Sequence, residues 1–482
     1  MRDKYVAVIG LEVHAQLLTK TKAFCSCINE YGGLPNTQTC PVCLGMPGSL
    51  PVLNKMLVEY SIMMGLATNC KIRKHSRFSR KNYFYQDLPK GYQITQYDDP
   101  ICYDGYVEIE KEEGLKRIRV NRIHIEEDTG KSNHDLDIDT LVDLNRAGVP
   151  LIEIVTEPDI ASAEEAYKYL NQIKNSLIYL NICSGNMEEG ALRCDANISV
   201  MLKGADKYGT RAEVKNMNSF RNVEKAIEYE VNRQIEIIEN GGSVVQETRM
   251  WDGAKNITKS MRSKEMAHDY RYFPEPDLLG IEVSDEWKES LKSKLPELPL
   301  AKKIRFETHY GLNKRDAGIL TEDISIAKYF ELACSVLTIK NEKRYKLISN
   351  WIQSDVMRLM SEKSVNIVEL NLNPKIISQL SDLSDDGVIS NKIAKEIFIE
   401  AISSGKLPND IVNEKGLKQL SDTTLIEEIV VRVIASNPET LEKYKSGKTN
   451  FMGFFVGQVL KETKGQANPQ IVSDLVKKHL ES

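Results

Sequence analysis

The stretch His124-Ile125-Glu126-Glu127-Asp128-Thr129-Gly130-Lys131-Ser132-Asn133-His134 reads either as a phosphate-binding loop or as a strand that carries metal ligands. A Walker-type loop requires a glycine five positions before its Gly-Lys-Ser run, because the amides between the two glycines wrap the phosphates. Ile125 stands in that position, so the loop reading fails. Gly447-Lys448-Thr449 fails likewise, with Glu442 where the first glycine belongs. What remains is a strand-like His124-Ile125-Glu126-Glu127 whose acidic groups need a partner, leading into a turn made by Gly130-Lys131-Ser132.

Outward from this stretch, residues 1–290 are punctuated by short alternating segments. VAVIGLEVHAQLL, YVEIEKEE, KRIRVNRIHIEE, LVDLN, PLIEIV, ALRCDANISVML and TRAEVKNM have the period of two that marks strands, and the short turns between them predict mostly antiparallel pairing. Two long helical patterns interrupt them, one after a Ser162 cap and one running from a Ser219 cap to a Gly241 stop. This half is predicted to be α+β. Beyond it, apolar spacings of three and four take over. KLISNWIQSDVMRLMSEK, NPKIISQLSDL, SNKIAKEIFIEAISSGK, DTTLIEEIVVRVIASN and NPQIVSDLVKKHL read as amphipathic helices, with Gly405, Gly447 and Gly465 as stops. The spacing predicts a helical domain over 291–405 and a helical tail over 406–482.

Alternation also sorts the chemistry. In GLEVHAQL, Glu12, His14 and Gln16 share one face; in ALRCDANISV, Arg193, Asp195, Asn197 and Ser199 do; in TRAEVKNMNS, Arg211, Glu213 and Lys215 do. Glu126 and Glu127 fall on opposite faces of their strand, and Glu153 sits in the otherwise apolar LIEIV. Carboxylates and imidazoles from several strands of one sheet make a hard-cation site of the kind that holds Mg²⁺ beside phosphates, and interleaved Arg and Lys meet the remaining phosphate oxygens. A network of structural salt bridges is the alternative. The expected metal ligands are Glu12, His14, Glu126 or Glu127, and Glu153, with Asp195 at a second site. Arg193, Arg211 and Lys215 are expected at phosphates.

Cys25, Cys27, Cys40 and Cys43 form C-x-C and C-x-x-C pairs, with Gly32, Gly33 and Pro35 supplying the turn between them. That spacing lets four thiolates close on one structural Zn²⁺ in an insertion at 25–43. Cys70, Cys102, Cys183, Cys194 and Cys334 are isolated and read as core residues. RFSRKNYFYQDLPKGYQITQYDDP interleaves Arg80 and Lys81 with Tyr83 and Tyr85, and MRSKEMAHDYRYFPEPDL repeats the blend; both suit a nucleotide base or an RNA end, or ordinary packing. Residues 441–480 carry seven Lys or Arg against three acidic groups, a mildly basic tail that suits RNA or a solvated face. The net charge of −5, with 41% apolar and 28% charged residues, excludes a disordered chain and a wholesale polyanion binder. No apolar run reaches the length of a membrane span, the first residues carry no signal-peptide core, and the cytoplasm is the expected compartment.

VIGLEVHAQL, CPVCLGMPGSLPVLN, FSRKNYFYQDLPKGYQITQ, HIEEDTGKS, LVDLNRAGVPLIEIVTEPD, MEEGALRCDANIS, AEVKNMNSFRNVEKAIEYE and DYRYFPEPDL together resemble the B subunits of bacterial tRNA-dependent amidotransferases, over essentially the whole chain. The resemblance implies a glutamine-synthetase-like catalytic cradle followed by helical domains that hold tRNA. It also implies a heterotrimer in which the A chain is an amidase and the C chain a small third partner, acting on a mischarged tRNA. The chemistry it implies is ATP-dependent phosphorylation of the side-chain carboxylate of Glu-tRNA(Gln) or Asp-tRNA(Asn), then displacement by ammonia. On that reading Glu12, His14, Glu126, Glu127, Glu153, Arg193 and Asp195 are catalytic, while Arg80, Lys81, Tyr83, Tyr85, Arg211, Glu213 and Lys215 bind the nucleotide or the aminoacyl end. Two rivals are a non-catalytic zinc-ribbon RNA-binding protein, which leaves the carboxylates without a purpose, and a free-standing amide ligase, which gives the helical half no role.

Overall fold

The structure is a computed structural model that describes residues 2–134, 137–261, 270–417, 423–445, 451–463, 467 and 469–481. The chain forms two compact units, Met1–Leu300 and Ala301–Ser482. The first extends beyond the expected boundary at 290 because the helix Asp285–Lys292 belongs to its core: Leu291 is buried there, and the Trp287 indole N–H donates to Glu59 at 3.3 Å.

A 12-stranded sheet organises the first unit. Its central strand, Tyr5–Gln16, pairs antiparallel with Leu192–Leu202 on one side and Pro150–Thr156 on the other. Pro150–Thr156 continues to Gly114–Glu127, which borders both Cys102–Lys111 and, at Glu126, the strand Tyr92–Thr95; Ser79–Asn82 follows. In the other direction come Ala212–Lys215, Thr248–Asp252 and Ile257–Ser260. One pair departs from the antiparallel expectation. Thr248–Asp252 runs parallel to Ala212–Lys215, because the 20-residue helix Phe220–Glu239 carries the chain back across the sheet between them.

The helices Lys55–Ala67, Ala163–Tyr179 and Phe220–Glu239 cover one face of this sheet. Ser162 and Ser219 cap as read from the sequence, their hydroxyls accepting the N–H of Glu165 and Asn222. The last helix ends at Asn240, with Gly241 at φ +77°, a conformation glycine takes without Cβ crowding. Against these helices lie Leu11, Val13 and Ala15 of the central strand, each at most 1% exposed, together with Cys70, Cys102, Cys183 and Cys194. Sheet alternation therefore delivers Glu12, His14 and Gln16 to the opposite, half-buried face.

The second unit is all helical. Helices between Pro299 and Lys415 share one apolar core, from Phe306 and Phe330 to Ile411 and Val412, and this core also holds Cys334. Gly405 caps Asn391–Ser404 at φ +72°, as read, yet the chain does not change domain there: the next helix, Pro408–Lys415, packs into the same core. A separate core, from Ile426 to Leu480, joins the helices Thr423–Ala435, Met452–Glu462 and Pro469–Glu481. The segment read as one helix from Lys346 to Lys363 widens to a π turn at Ile352–Val356. Gly447 and Gly465, the expected stops in the tail, lie outside the described residues, as do Lys448 and Lys464.

Candidate active site

The polar sheet face gathers its ligand-type side chains by register. His14 stands opposite Glu153 on one neighbour and Arg193 on the other; Glu12 stands opposite Asp195; Glu153 stands opposite His124. Residues opposite one another in an antiparallel pair point the same way, so these four strands contribute to one surface. His14 Nε2 lies 3.6 Å from Glu153 Oε2, and His124 Nε2 lies 3.1 Å from the same oxygen and 3.8 Å from Glu126 Oε2. Thr95 donates to Glu126 at 3.2 Å. One ligand atom each from His14, Glu126 and Glu153 falls within 4.8 Å of the others, and a second such group is Glu12, Asp195 and Glu213.

Electrostatics show what these groups lack. Burial opposes a charge on Glu153, but His124 and His14 outweigh it and hold the carboxyl well below its usual range. Burial likewise opposes a proton on His124, yet Glu153 and Glu126 push it up to about 9; His14 is raised by the same carboxylates. Both imidazoles thus face the carboxylates at the place a cation would take. His124 Nδ1 is buried and, among the described residues, has no hydrogen-bond partner. Lys81 supplies a further charge: burial lowers its pKa, but Glu126, Tyr272 and Glu153 raise it more, and its Nζ lies 5.1 Å over the Tyr270 ring. Around the second group, Asn197 donates to Glu12 at 2.9 Å, Lys215 bridges Asp195 and Glu213, and Thr248 donates to Glu213 at 2.8 Å. Burial, then Glu153, raises the Glu12 pKa. Oxygen and imidazole donors at this spacing fit a hard divalent ion, whose octahedral ligands stand about 3–4 Å apart.

Two cavities of about 520 Å³ each open on this face. Glu12, Asn197 and Arg211 line one; Gln16, Arg146, Arg193 and Asp195 line the other. Arg193 donates to Asp128 at 2.7 Å, and Gln16 donates to the same oxygen at 2.8 Å.

Several expected residues are not brought to the cluster. Glu127 is a correction: it points to the other side of its strand, where Lys90 pairs with it and the Ile94 N–H donates to it at 2.9 Å. Arg80 is another, because its guanidinium is taken up by Glu275 at 2.7 and 2.9 Å and by Asp277 at 2.9 Å, over the Tyr92 ring. Tyr83 is partly buried, its hydroxyl bonded to Gln93, whereas Tyr85 is 58% exposed with its ring 5.9 Å from that of Tyr83. Of the second basic-aromatic stretch, residues 262–269 lie outside the described residues.

Sequence reasoning left two members off the expected ligand set. His124 shares a face with Glu126, and one more step of the same alternation reaches Asp128. Burial opposes the Asp128 charge, while Arg193 and Arg146 hold its carboxyl below the usual range.

The four cysteines of the insertion form a separate group. One sulfur from each of Cys25, Cys27, Cys40 and Cys43 lies within 4.8 Å of the others, and Sγ of Cys40 and Cys43 are 3.9 Å apart. Four sulfurs at about 2.3 Å from one Zn²⁺ stand about 3.8 Å from each other, so the set fits zinc. A hydrogen bond from Cys25, then the Cys40 backbone N–H and Lys22, outweigh burial and lower the Cys43 pKa to about 5.

Residues 7–289 match the model of the GatB/GatE catalytic domain, and residues 335–480 match that of the GatB domain. Among curated relatives, the B subunit of the aspartyl/glutamyl-tRNA(Asn/Gln) amidotransferase of Thermoanaerobacter pseudethanolicus is 54% identical over 477 residues, 99% of each chain. Its counterpart of the same name from Caldicellulosiruptor saccharolyticus is 54% identical over 482 residues, and that from Chlorobium phaeobacteroides 51% over 477, again over 99% of each chain. Among the described residues no helix is long and apolar enough to cross a membrane.

Proposed function

The chain belongs to the family of aspartyl/glutamyl-tRNA(Asn/Gln) amidotransferase B subunits, and from that premise we propose that it activates and amidates the side-chain carboxylate of Glu-tRNA(Gln), Asp-tRNA(Asn) or both. A carboxylate is a poor acyl donor until one oxygen becomes a leaving group. ATP phosphorylates it, and ammonia from a partner amidase then attacks the acyl phosphate and expels phosphate. A small third chain completes the complex, the helical second unit engages the tRNA, and the complex works in the cytoplasm.

The observation that carries this reading is the convergence of His14, Glu126 and Glu153, beside Glu12, Asp195 and Glu213, on one half-buried sheet face. These two groups are suited to one or two Mg²⁺ ions, which when bound neutralise the charge gathering on transferring phosphoryl oxygens. The chain's own cations, Lys81, Lys215, Arg193 and Arg211, border the same surface and supply donors to phosphate and carboxylate oxygens. Asp128 fixes the Arg193 guanidinium from behind, and Lys215 pairs with both Asp195 and Glu213. Structural Zn²⁺ in the four-cysteine site stiffens the insertion beside the cavity that Arg193 lines.

The test is ATP cleavage by the assembled complex. With ammonia or glutamine present, cleavage is expected to depend on glutamyl- or aspartyl-tRNA. Binding of tRNA without tRNA-dependent ATP cleavage would favour a non-catalytic RNA-binding protein, and cleavage driven by a free small acid would favour a free-standing ligase.

A further inference from the structure

Granting zinc in the four-cysteine site, as proposed above, we infer that Lys22 is the counter-ion of that site and the positioning residue that ties it to the strand bearing Glu126. Lys22 is fully buried, at 0% exposure. Its ammonium has two long contacts, Cys43 Sγ at 3.9 Å and the Leu144 carbonyl at 3.5 Å, and among the described residues no carboxylate pairs with it. Taking an ammonium out of water without an anion beside it is strongly disfavoured. The acidic group behind it, Glu127, is already held by Lys90. Among the described residues the missing negative charge is available from one source: four thiolates around Zn²⁺ leave a surplus of two negative charges, and an N–H···S bond from Lys22 to Cys43 places the ammonium against them.

The same lysine joins two elements. Its backbone N–H donates to the Cys27 carbonyl at 2.9 Å, and the next N–H, of Ala23, donates to the Gly148 carbonyl at 2.9 Å. Gly148, at φ +83°, lies against three side chains at once: a Cβ there would sit 3.5 Å from Cys43 Cβ, 3.6 Å from Lys22 Cδ and 3.7 Å from Glu127 Oε2. The cysteine knuckle, the Lys22 stem and the back of the Glu126–Glu127 strand therefore meet around one residue, and the Gly148 N–H donates to the Asp128 carbonyl at 2.9 Å, one step along from that strand.

The experiment compares full-length wild type, Lys22→Met, Lys22→Gln and Lys22→Arg by zinc content, chelator competition and the visible spectrum of the Co²⁺ form. The two uncharged variants are expected to bind zinc about 10–100-fold more weakly and to shift the Co²⁺–thiolate bands, while Lys22→Arg stays near wild type. Thermal unfolding supplies a reversal that mere packing would not: Lys22→Met should be less stable than wild type with zinc and more stable after zinc is stripped. Wild type that takes up no zinc overturns the zinc reading itself; wild type that takes it up while Lys22→Met holds it equally well overturns the role of Lys22 alone. If neither uncharged variant folds with zinc while Lys22→Arg does, the charge is required as inferred; if Lys22→Arg fails as well, the role is one of shape and the inference falls.

Discussion

Both units bury charge, but they do so differently. In the helical unit, Arg344 is 1% exposed and each of its nitrogens has a partner: Nε donates to Asp385 at 2.8 Å, Nη1 to Thr338 at 2.8 Å and to Asp382 at 2.5 Å, and Nη2 bonds Asp386. On the sheet face of the first unit, carboxylates crowd one another, Glu153 and Glu126 raise the His124 pKa against the effect of burial, and His124 Nδ1 has no partner among the described residues. A guanidinium with a partner on each of its three nitrogens is complete as it stands. A face on which carboxylates and imidazoles from separate strands converge, with a buried ring nitrogen that has no partner among the described residues, is what we read as a binding site and not a structural ion pair.

The largest expected effect sharpens this contrast within two adjacent residues. Glu126→Gln, on the polar face, should lower tRNA-dependent ATP cleavage about 10²–10³-fold with an unfolding midpoint near wild type. Glu127→Gln, on the other face, should instead cost about 4 kcal/mol of stability, since it leaves Lys90, whose side chain is only 10% exposed, without its anion; urea titration of both variants reads the difference. Next, Arg344→Leu should destabilise the helical unit by about 3 kcal/mol, less than a wholly enclosed pair because Asp386 reaches solvent, and should leave zinc binding untouched.

Smaller is the acid response of Glu165, a buried carboxylate of the purely structural kind. Burial raises its pKa, but Lys116, the Ala161 N–H and Lys111 lower it further, so it lies below the ordinary 4.5. Its contribution to stability is full above that value and fades as pH falls through the lower, folded-state value. The stability gap between wild type and Glu165→Gln should therefore be constant from neutrality down to about pH 4.5 and close on further acidification. Smallest is Ser219→Ala, which removes one helix cap and should cost about 1 kcal/mol.

Much of this is legible in the amino-acid order alone. Alternation places Glu12 and His14 together, splits Glu126 from Glu127 and identifies the Ser162 and Ser219 caps, because these are matters of local period and backbone donors. Register is not legible in this way. Nothing in LIEIV says that Glu153 lies opposite both His14 and His124; that follows from how three distant strands pair. Arg80 illustrates the converse: a basic residue among tyrosines suits a ligand, and only the tertiary fold reveals Glu275 and Asp277 already upon it. The parallel Thr248–Asp252 strand escapes for a similar reason, since its partner is set by a long crossover helix. The boundary expected at 405 fails because a glycine that ends a helix need not end a core.

The most direct test of the sheet-face site is Mn²⁺ binding, followed by electron paramagnetic resonance, on the full chain and on His14→Ala, Glu153→Gln and Glu127→Gln. Wild type and Glu127→Gln should bind the ion alike, whereas His14→Ala and Glu153→Gln should weaken binding at least tenfold. Equal binding by all four proteins, or none by wild type, would contradict the assignment of that face as a divalent-ion centre.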